Sequence, residues 1–260
     1  MKITRLSWAG LQVVSGQQTI LIDPVEDFST MAPYMGKPHW PIVSFTASTQ
    51  ADFVLLTHLH PDHFDPAAIR QVLKPNGKVL CHSLAAEKIK ECGLPVEVLE
   101  LNQRYSSDGN TFIPVFALDG IGHEQVSWIV RDSAGRQLFH GGDTIWHSRF
   151  WEINKTYGKM DAAFLPVNGV VVEYPFVGFA PLPASLTPEQ AVVAARILQA
   201  AQLVPMHYGT FDCPPVYTES EGIGERLEAA ALRYGQPTVL VSEGEQLHLP
   251  LYPAPIQELH

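Results

Sequence analysis

The chain has 260 residues, 46% of them hydrophobic and 17% charged, with a formal net charge of −10. That content suffices for a large buried core, and no run of ~18 or more apolar residues exists to cross a membrane. The negative balance argues against a phosphate-tracking surface for nucleic acid, and three scattered cysteines without CxxC spacing read as reduced thiols of a cytoplasmic protein.

Met1 to Trp8 lacks an apolar signal core and reads as a first strand over 2–8. Strands follow at 11–15 and 19–23, the second ending in Ile22-Asp23-Pro24. Residues 24–50 then form a long connection rich in Pro and aromatics, including Phe28, Met31, Tyr34, Met35, His39, Trp40 and Phe45. A strand at 52–57 leads into Thr57-His58-Leu59-His60-Pro61-Asp62-His63-Phe64, after which Asp65-Pro66 is an N-cap followed by Pro at the first helical position. Next come a strand at 78–81, a helix from Ser83 to Gly93 with Lys88 and Lys90 in its last turns, and strands at 96–99, 111–117, 125–131, 137–141 and 161–166. A second long connection covers 166–188, with Tyr174, Phe176 and Phe179. Thr187-Pro188-Glu189-Gln190 is a capping box opening a helix to about Ala201, with Ala191, Ala194, Ala195 and Leu198 as its apolar stripe. A strand at 203–206, a second box at Thr218–Glu221 with a helix stopping at Gly235, and a strand at 238–242 complete the pattern. Alternating strands and helices specify α/β or α+β, organised as one domain over 1–260.

The run at 57–64 carries the chemistry. His58, His60, Asp62 and His63 are four metal-ligand side chains within six residues. Period-two alternation aims His58 and His60 the same way, and Pro61 turns the chain so that Asp62 and His63 can reach back. Imidazole with carboxylate suits zinc first, with manganese or iron also compatible. One short loop cannot surround two cations, so a dinuclear site needs ligands from elsewhere. His123, Asp143 in Gly141-Gly142-Asp143-Thr144, and His207 before Tyr208-Gly209-Thr210-Phe211 each sit where a strand gives way to a loop.

The order THLHPDH, a single His, GGDT and PMHYGTF resembles the metallo-β-lactamase superfamily, in particular the branch with ascorbate-6-phosphate lactonase and N-acylphosphatidylethanolamine phospholipase D. The resemblance runs from Ile20-Leu21-Ile22-Asp23-Pro24 to about Phe211, and it implies a four-layer α/β/β/α sandwich. It also implies that His58, His60 and His123 hold a first metal, Asp62, His63 and His207 a second, and that Asp143 bridges them. The cysteine ligand of many true β-lactamases is missing, which argues against antibiotic hydrolysis. Tyr208 stands where the phospholipase-like members have Trp.

Two divalent ions would acidify a shared water, and the resulting hydroxide would attack a lactone, ester or phosphodiester of a small molecule. Asp62 is the candidate for orienting the nucleophile, His147 for donating a proton, and Tyr208 and Asn168 for holding a substrate oxygen. Asp23 reads as a brace for the metal loop and His140 as a partner behind the ligands, while His82, His248 and His260 read as surface or helix-end residues. The two aromatic connections read as a pocket rim or lid, with a homo-oligomer contact as their other use. Only Lys37 is cationic between 24 and 50, and 166–188 has no basic residue, which favours a neutral or mono-anionic substrate. An iron-dependent oxidoreductase and a non-catalytic metal-binding module are the alternatives.

Overall fold

A computed structural model describes residues 1–178, 180–247 and 249. Phe179, His248 and His260 lie outside the described residues. Strands β1 (Lys2–Arg5), β2 (Leu11–Ser15), β3 (Gln18–Ile22), β4 (Ala51–Leu55), β5 (Leu73–His82) and β6 (Val96–Leu99) form one sheet, with β15 (Gln246–Leu247) on the outer edge of β1. A second sheet contains β7 (Tyr105–Ser107), β8 (Asn110–Phe116), β9 (Val126–Arg131), β10 (Gln137–His140), β11 (Ala162–Pro166) and β13 (Leu203–Met206). Two-residue strands β12 (Val171–Val172) and β14 (Tyr217–Thr218) pair with each other. The helices are α1 (Ala32–Met35), α2 (Pro66–Val72), α3 (Ser83–Glu91), α4 (Arg149–Tyr157), α5 (Pro188–Ile197) and α6 (Ile223–Tyr234).

Period-two alternation builds the layers. Ile20, Ile22, Phe53 and Leu55 face Phe112, Trp128, Leu138 and Phe164 across the gap between the sheets. Their neighbours Leu21 and Val54 face outward onto Ala68, Ile69 and Val72 of α2 and Ile89 of α3. On the second sheet Ile113, Ile129, Phe139, Ala163 and Leu165 face outward onto Phe150 of α4 and Ala191, Ala194 and Ala195 of α5. The result is the expected four-layer α/β/β/α sandwich. Trp128 Nε1 donates to the Leu56 carbonyl at 2.9 Å, tying the second sheet to the end of β4.

Several expected boundaries moved, each for a local reason. The first strand stops at Arg5 because the chain turns at Trp8, whose φ is +62°. The box at Thr218–Glu221 does not form: Thr218 pairs with Val171, and α6 starts later from Gly222 without a side-chain cap. Residues 238–242 contribute one bridge, Thr238 to Leu203, rather than a strand. Helix α4 and strand β7 were not anticipated, and the long connections contain α1 and β12. Among the described residues no helix is long and apolar enough to cross a membrane, and the three cysteines are unpaired.

The capping box of α5 does form, Thr187 Oγ1 accepting from Gln190 N and Gln190 Oε1 from Thr187 N. Thr187→Ala should lower the free energy of unfolding by about 1 kcal/mol. Urea titration checks this; an unchanged midpoint would show that the cap adds nothing.

Candidate metal centre

Every element of the centre leaves the C-terminal end of a strand. Asp23 follows β3, the loop with His58, His60, Asp62 and His63 follows β4, Asp119 follows β8, Asp143 follows β10, and His207 follows β13. A rigid sheet end thus sets each Cα while the loop aims the side chain. Gly142, at φ +60°, makes the turn that brings Asp143 to the loop; a Cβ there would press on Thr57 at 3.0 Å.

Asp23 is buried, and it organises the first loop. Its Oδ1 accepts from Thr57 N at 2.8 Å, and its Oδ2 accepts from Thr57 Oγ1 at 2.6 Å and stands 2.8 Å from His63 Nδ1. A carboxylate only accepts, so His63 carries its proton on Nδ1 and keeps a lone pair on Nε2. Thr57 spends its hydroxyl proton on Asp23, so its oxygen accepts from His58 Nδ1 at 2.9 Å and leaves His58 Nε2 free as well. His207 Nδ1 faces the Asn168 amide at 3.2 Å. With the amide oxygen turned toward it, Asn168 would accept from His207 Nδ1, freeing Nε2 in the same way.

Those free atoms converge on Asp143. His63 Nε2 and His207 Nε2 each lie 2.9 Å from its Oδ1, and His58 Nε2 lies 3.9 Å from its Oδ2. Asp62 Oδ2 is 3.4 Å from His207 Nε2 and 3.7 Å from His63 Nε2, and it accepts from Trp8 Nε1 at 3.0 Å. His63 Nε2, His207 Nε2 and Asp143 Oδ1 are buried without a hydrogen-bond partner. Lone pairs gathered so closely, away from water, are what a cation satisfies and a proton network leaves open. The donor set therefore fits a metal ion. A first cluster joins Asp62, His63, Asp143 and His207; another joins His58, His60 and Asp119.

The same crowding shifts the protons, and a proton shared between His63 and Asp143 competes with a cation for that position. Burial, with His63 and His60 alongside, holds the His58 imidazole well below its usual range. Burial would depress His63 too, but the Asp143, Asp62 and Asp23 carboxylates outweigh it and raise His63. Against its own burial, Asp143 is held far below the ordinary carboxylate range by His207 and His63.

Of the expected ligands, His58, His60, Asp62, His63, Asp143 and His207 are brought together. His123 is exposed, and its Nδ1 meets the outer nitrogen of His60, Nε2, rather than joining either cluster. His147 and Tyr208 are not at the cavity over these ligands. His147 stacks on Phe150 at 4.0 Å, and burial followed by Arg149 lowers it to about 4. Tyr208 points the other way from His207 and lies under Arg5, 5.6 Å from the guanidinium carbon. Asn168 is fully buried behind His207, between Ser185 and Tyr217, so it braces a ligand instead of meeting substrate. His140 also sits behind the site, 2.8 Å from the Ala9 carbonyl. Trp8 and Asp119 went unforeseen: an aromatic on a first strand and one Asp after an apolar run carry no spacing signal.

The cavity over the ligands is ≈ 300 Å³. Its walls include Met31 and Tyr34 from the first long connection and Val170, Val172, Tyr174 and Phe176 from the second. The two connections meet in an aromatic cluster, with ring centroids 5.6 Å apart for Tyr34–Tyr174 and 5.3 Å for Tyr174–Phe176. Ser185 and Tyr217 bring hydroxyls, and no Lys or Arg lines the space.

A family model described as a beta-lactamase superfamily domain matches residues 18–208. A UPF0173 metal-dependent hydrolase of Thermococcus kodakarensis is 26% identical over 235 residues, covering 86% of this chain and 93% of its own. An isothiocyanate hydrolase from Delia radicum gut bacteria superposes with a TM-score of 0.74 at 18% identity, covering 95% of this chain and 99% of its own. CmlA, a diiron beta-hydroxylase from Streptomyces venezuelae, gives 0.73 at 16% identity over 95% of this chain and 54% of its own. The chain belongs to the metallo-β-lactamase superfamily.

Asp23→Asn tests the brace. Asn tolerates the φ of +44° at this position, but it presents an amide donor to Thr57 or His63. Metal affinity, read by chelator competition, should fall by ~10–100-fold with the fold intact; an unchanged affinity would remove Asp23 from the centre.

Proposed function

We propose that this protein is a dinuclear hydrolase of small neutral carboxylic esters or lactones that carry an apolar group. The observation that carries this reading is the cavity wall: Met31, Tyr34, Val170, Val172, Tyr174 and Phe176 stand over the ligand clusters, and among the described residues no Lys or Arg lines the space. A phosphodiester keeps its negative charge through binding and would have only the metal ions, with no Arg or Lys, to meet it. A neutral ester brings its apolar part to the aromatic wall and its carbonyl to the ligand clusters.

His58 and His60 would hold one ion, Asp62, His63 and His207 the other, and Asp143, with one oxygen toward each group, would span them. When bound, such a pair supplies Lewis acidity and a water acidified toward neutral pH. The chain's own part is positioning. Trp8 fixes the Asp62 carboxylate, Asp23 fixes His58 and His63, and the aromatic wall excludes water from the apolar part of the substrate. Burial, with Asp62 and Glu219 nearby, pushes the Tyr217 phenol well above its ordinary range, so it faces substrate as a neutral hydroxyl. Zinc, manganese and iron all suit this mix of nitrogen and oxygen donors.

Asp143→Ala should lose more turnover than the ~10–100-fold of an outer-sphere change while its circular dichroism stays native; full activity would sink the two-ion scheme. Phe176 is 65% exposed, so truncating it leaves the core alone. Phe176→Ala should raise KM about tenfold for esters with longer acyl chains and leave kcat nearly unchanged. A screen of nitrophenyl esters, lactones and bis-nitrophenyl phosphate decides the substrate class. A preference for the phosphodiester would overturn the ester reading.

A further inference from the structure

We propose that Asp119, and not His123, is the third protein ligand of the first metal position, making that position a two-imidazole, one-carboxylate site. The inference rests on the dinuclear reading above. His58 Nε2 and His60 Nδ1 lie 2.9 Å apart, and Asp119 Oδ2 lies 3.7 Å from that same His60 nitrogen. Ligand atoms of these three residues form one cluster, whereas His123 offers none to it. His123 touches His60 on the opposite ring nitrogen, Nε2, where a group behind a ligand sits and not where a co-ligand sits.

The local backbone supports the same assignment. Asp119 Oδ1 accepts from Ile121 N at 2.8 Å and from His123 N at 3.3 Å, which fixes the carboxylate and leaves Oδ2 for the site. Both residues line the cavity, but Asp119 is only 9% exposed whereas His123 is exposed. Gly120 fits the segment against the 184 backbone so closely that a Cβ would come within 2.2 Å of the Ala184 carbonyl. That contact fixes the turn after Asp119 and holds its carboxylate inward.

With Asp119 counted, the two positions become alike: two imidazoles and one carboxylate each, with Asp143 shared. A third carboxylate also raises the negative charge that two dications must balance. Oxygen-rich sites of this kind favour manganese or iron over zinc more than a three-histidine site does.

Metal stoichiometry separates the ligands without any assay of turnover. Protein stripped with chelator is dialysed against Mn²⁺ and its bound metal is counted for wild type, Asp119→Asn and His123→Ala. The Asn keeps an oxygen for the two backbone N–H groups while removing the anionic ligand. Native circular dichroism confirms that each variant is folded. Wild type should bind about two ions, Asp119→Asn about one, and His123→Ala about two. Two ions in Asp119→Asn, or one in His123→Ala, would overturn the assignment with the dinuclear reading intact. Wild type binding a single ion would overturn that reading, and the assignment with it.

Discussion

One buried carboxylate sets the geometry on which the rest of the centre depends. Asp23 accepts from Thr57 N, Thr57 Oγ1 and His63 Nδ1, and through Thr57 it also fixes His58. Three consequences follow from its being an acceptor only. The chain leaving β4 is pinned to the end of β3, His58 and His63 each present a lone pair on Nε2, and both rings are held at a set angle. A neutral residue in its place would leave either a buried donor unpaired or an imidazole in the wrong tautomer. Trp8 does the corresponding work for Asp62, and Asn168, with its amide oxygen toward Nδ1, would do it for His207, so the ligands are aimed by hydrogen bonds that begin in the sheet ends.

The same arrangement governs how much of the fold is legible in the sequence. Ile20, Leu21 and Ile22 alternate between the inter-sheet core and the helix-facing core, so period two encoded the layering as well as the strand. Thr187 and Gln190 announced α5 because both halves of a capping box are side chains with one conformational use. Helix α4 went unread because Ser148 makes no capping bond and Phe150, Trp151 and Tyr157 favour strands when taken one by one. The converse error came at Thr218, where a box-like spacing was overridden by pairing with Val171. Local signals hold where nothing tertiary competes for the same backbone groups.

Legibility of the site followed the same division. Four ligands in one short loop are bound together by sequence spacing, so His58, His60, Asp62 and His63 stood out. Asp143 and His207 were found through their glycine and strand contexts. Asp119 has no such context, and its place beside His60 shows only in the fold. The left-handed backbone at His207, φ +59°, turns the chain after β13, and Tyr208 lies under Arg5. His147 was singled out by distance from Asp143 in sequence, but the face of Phe150 claims its ring.

The unpartnered atoms also bear on stability. His63 Nε2, His207 Nε2 and Asp143 Oδ1 have given up water and crowd together, each nitrogen 2.9 Å from the oxygen, which is expensive unless a cation or a proton stands between them. Asp23, Trp8 and the sheet ends hold the loops through hydrogen bonds of their own. Cation binding then relieves a penalty already present in the folded chain, and an ion that binds the folded state in preference to the unfolded one stabilises it. Metal affinity and fold stability are therefore coupled through the same few atoms. Weakening the brace at Asp23 loosens the ligands, while removing a ligand carboxylate shifts the charge balance that holds His63 and His207 in place. The two long connections stand outside this coupling, since Tyr34, Tyr174 and Phe176 touch the cavity but bind none of the ligand atoms. That separation lets the aromatic wall vary with substrate while the metal framework beneath it stays fixed.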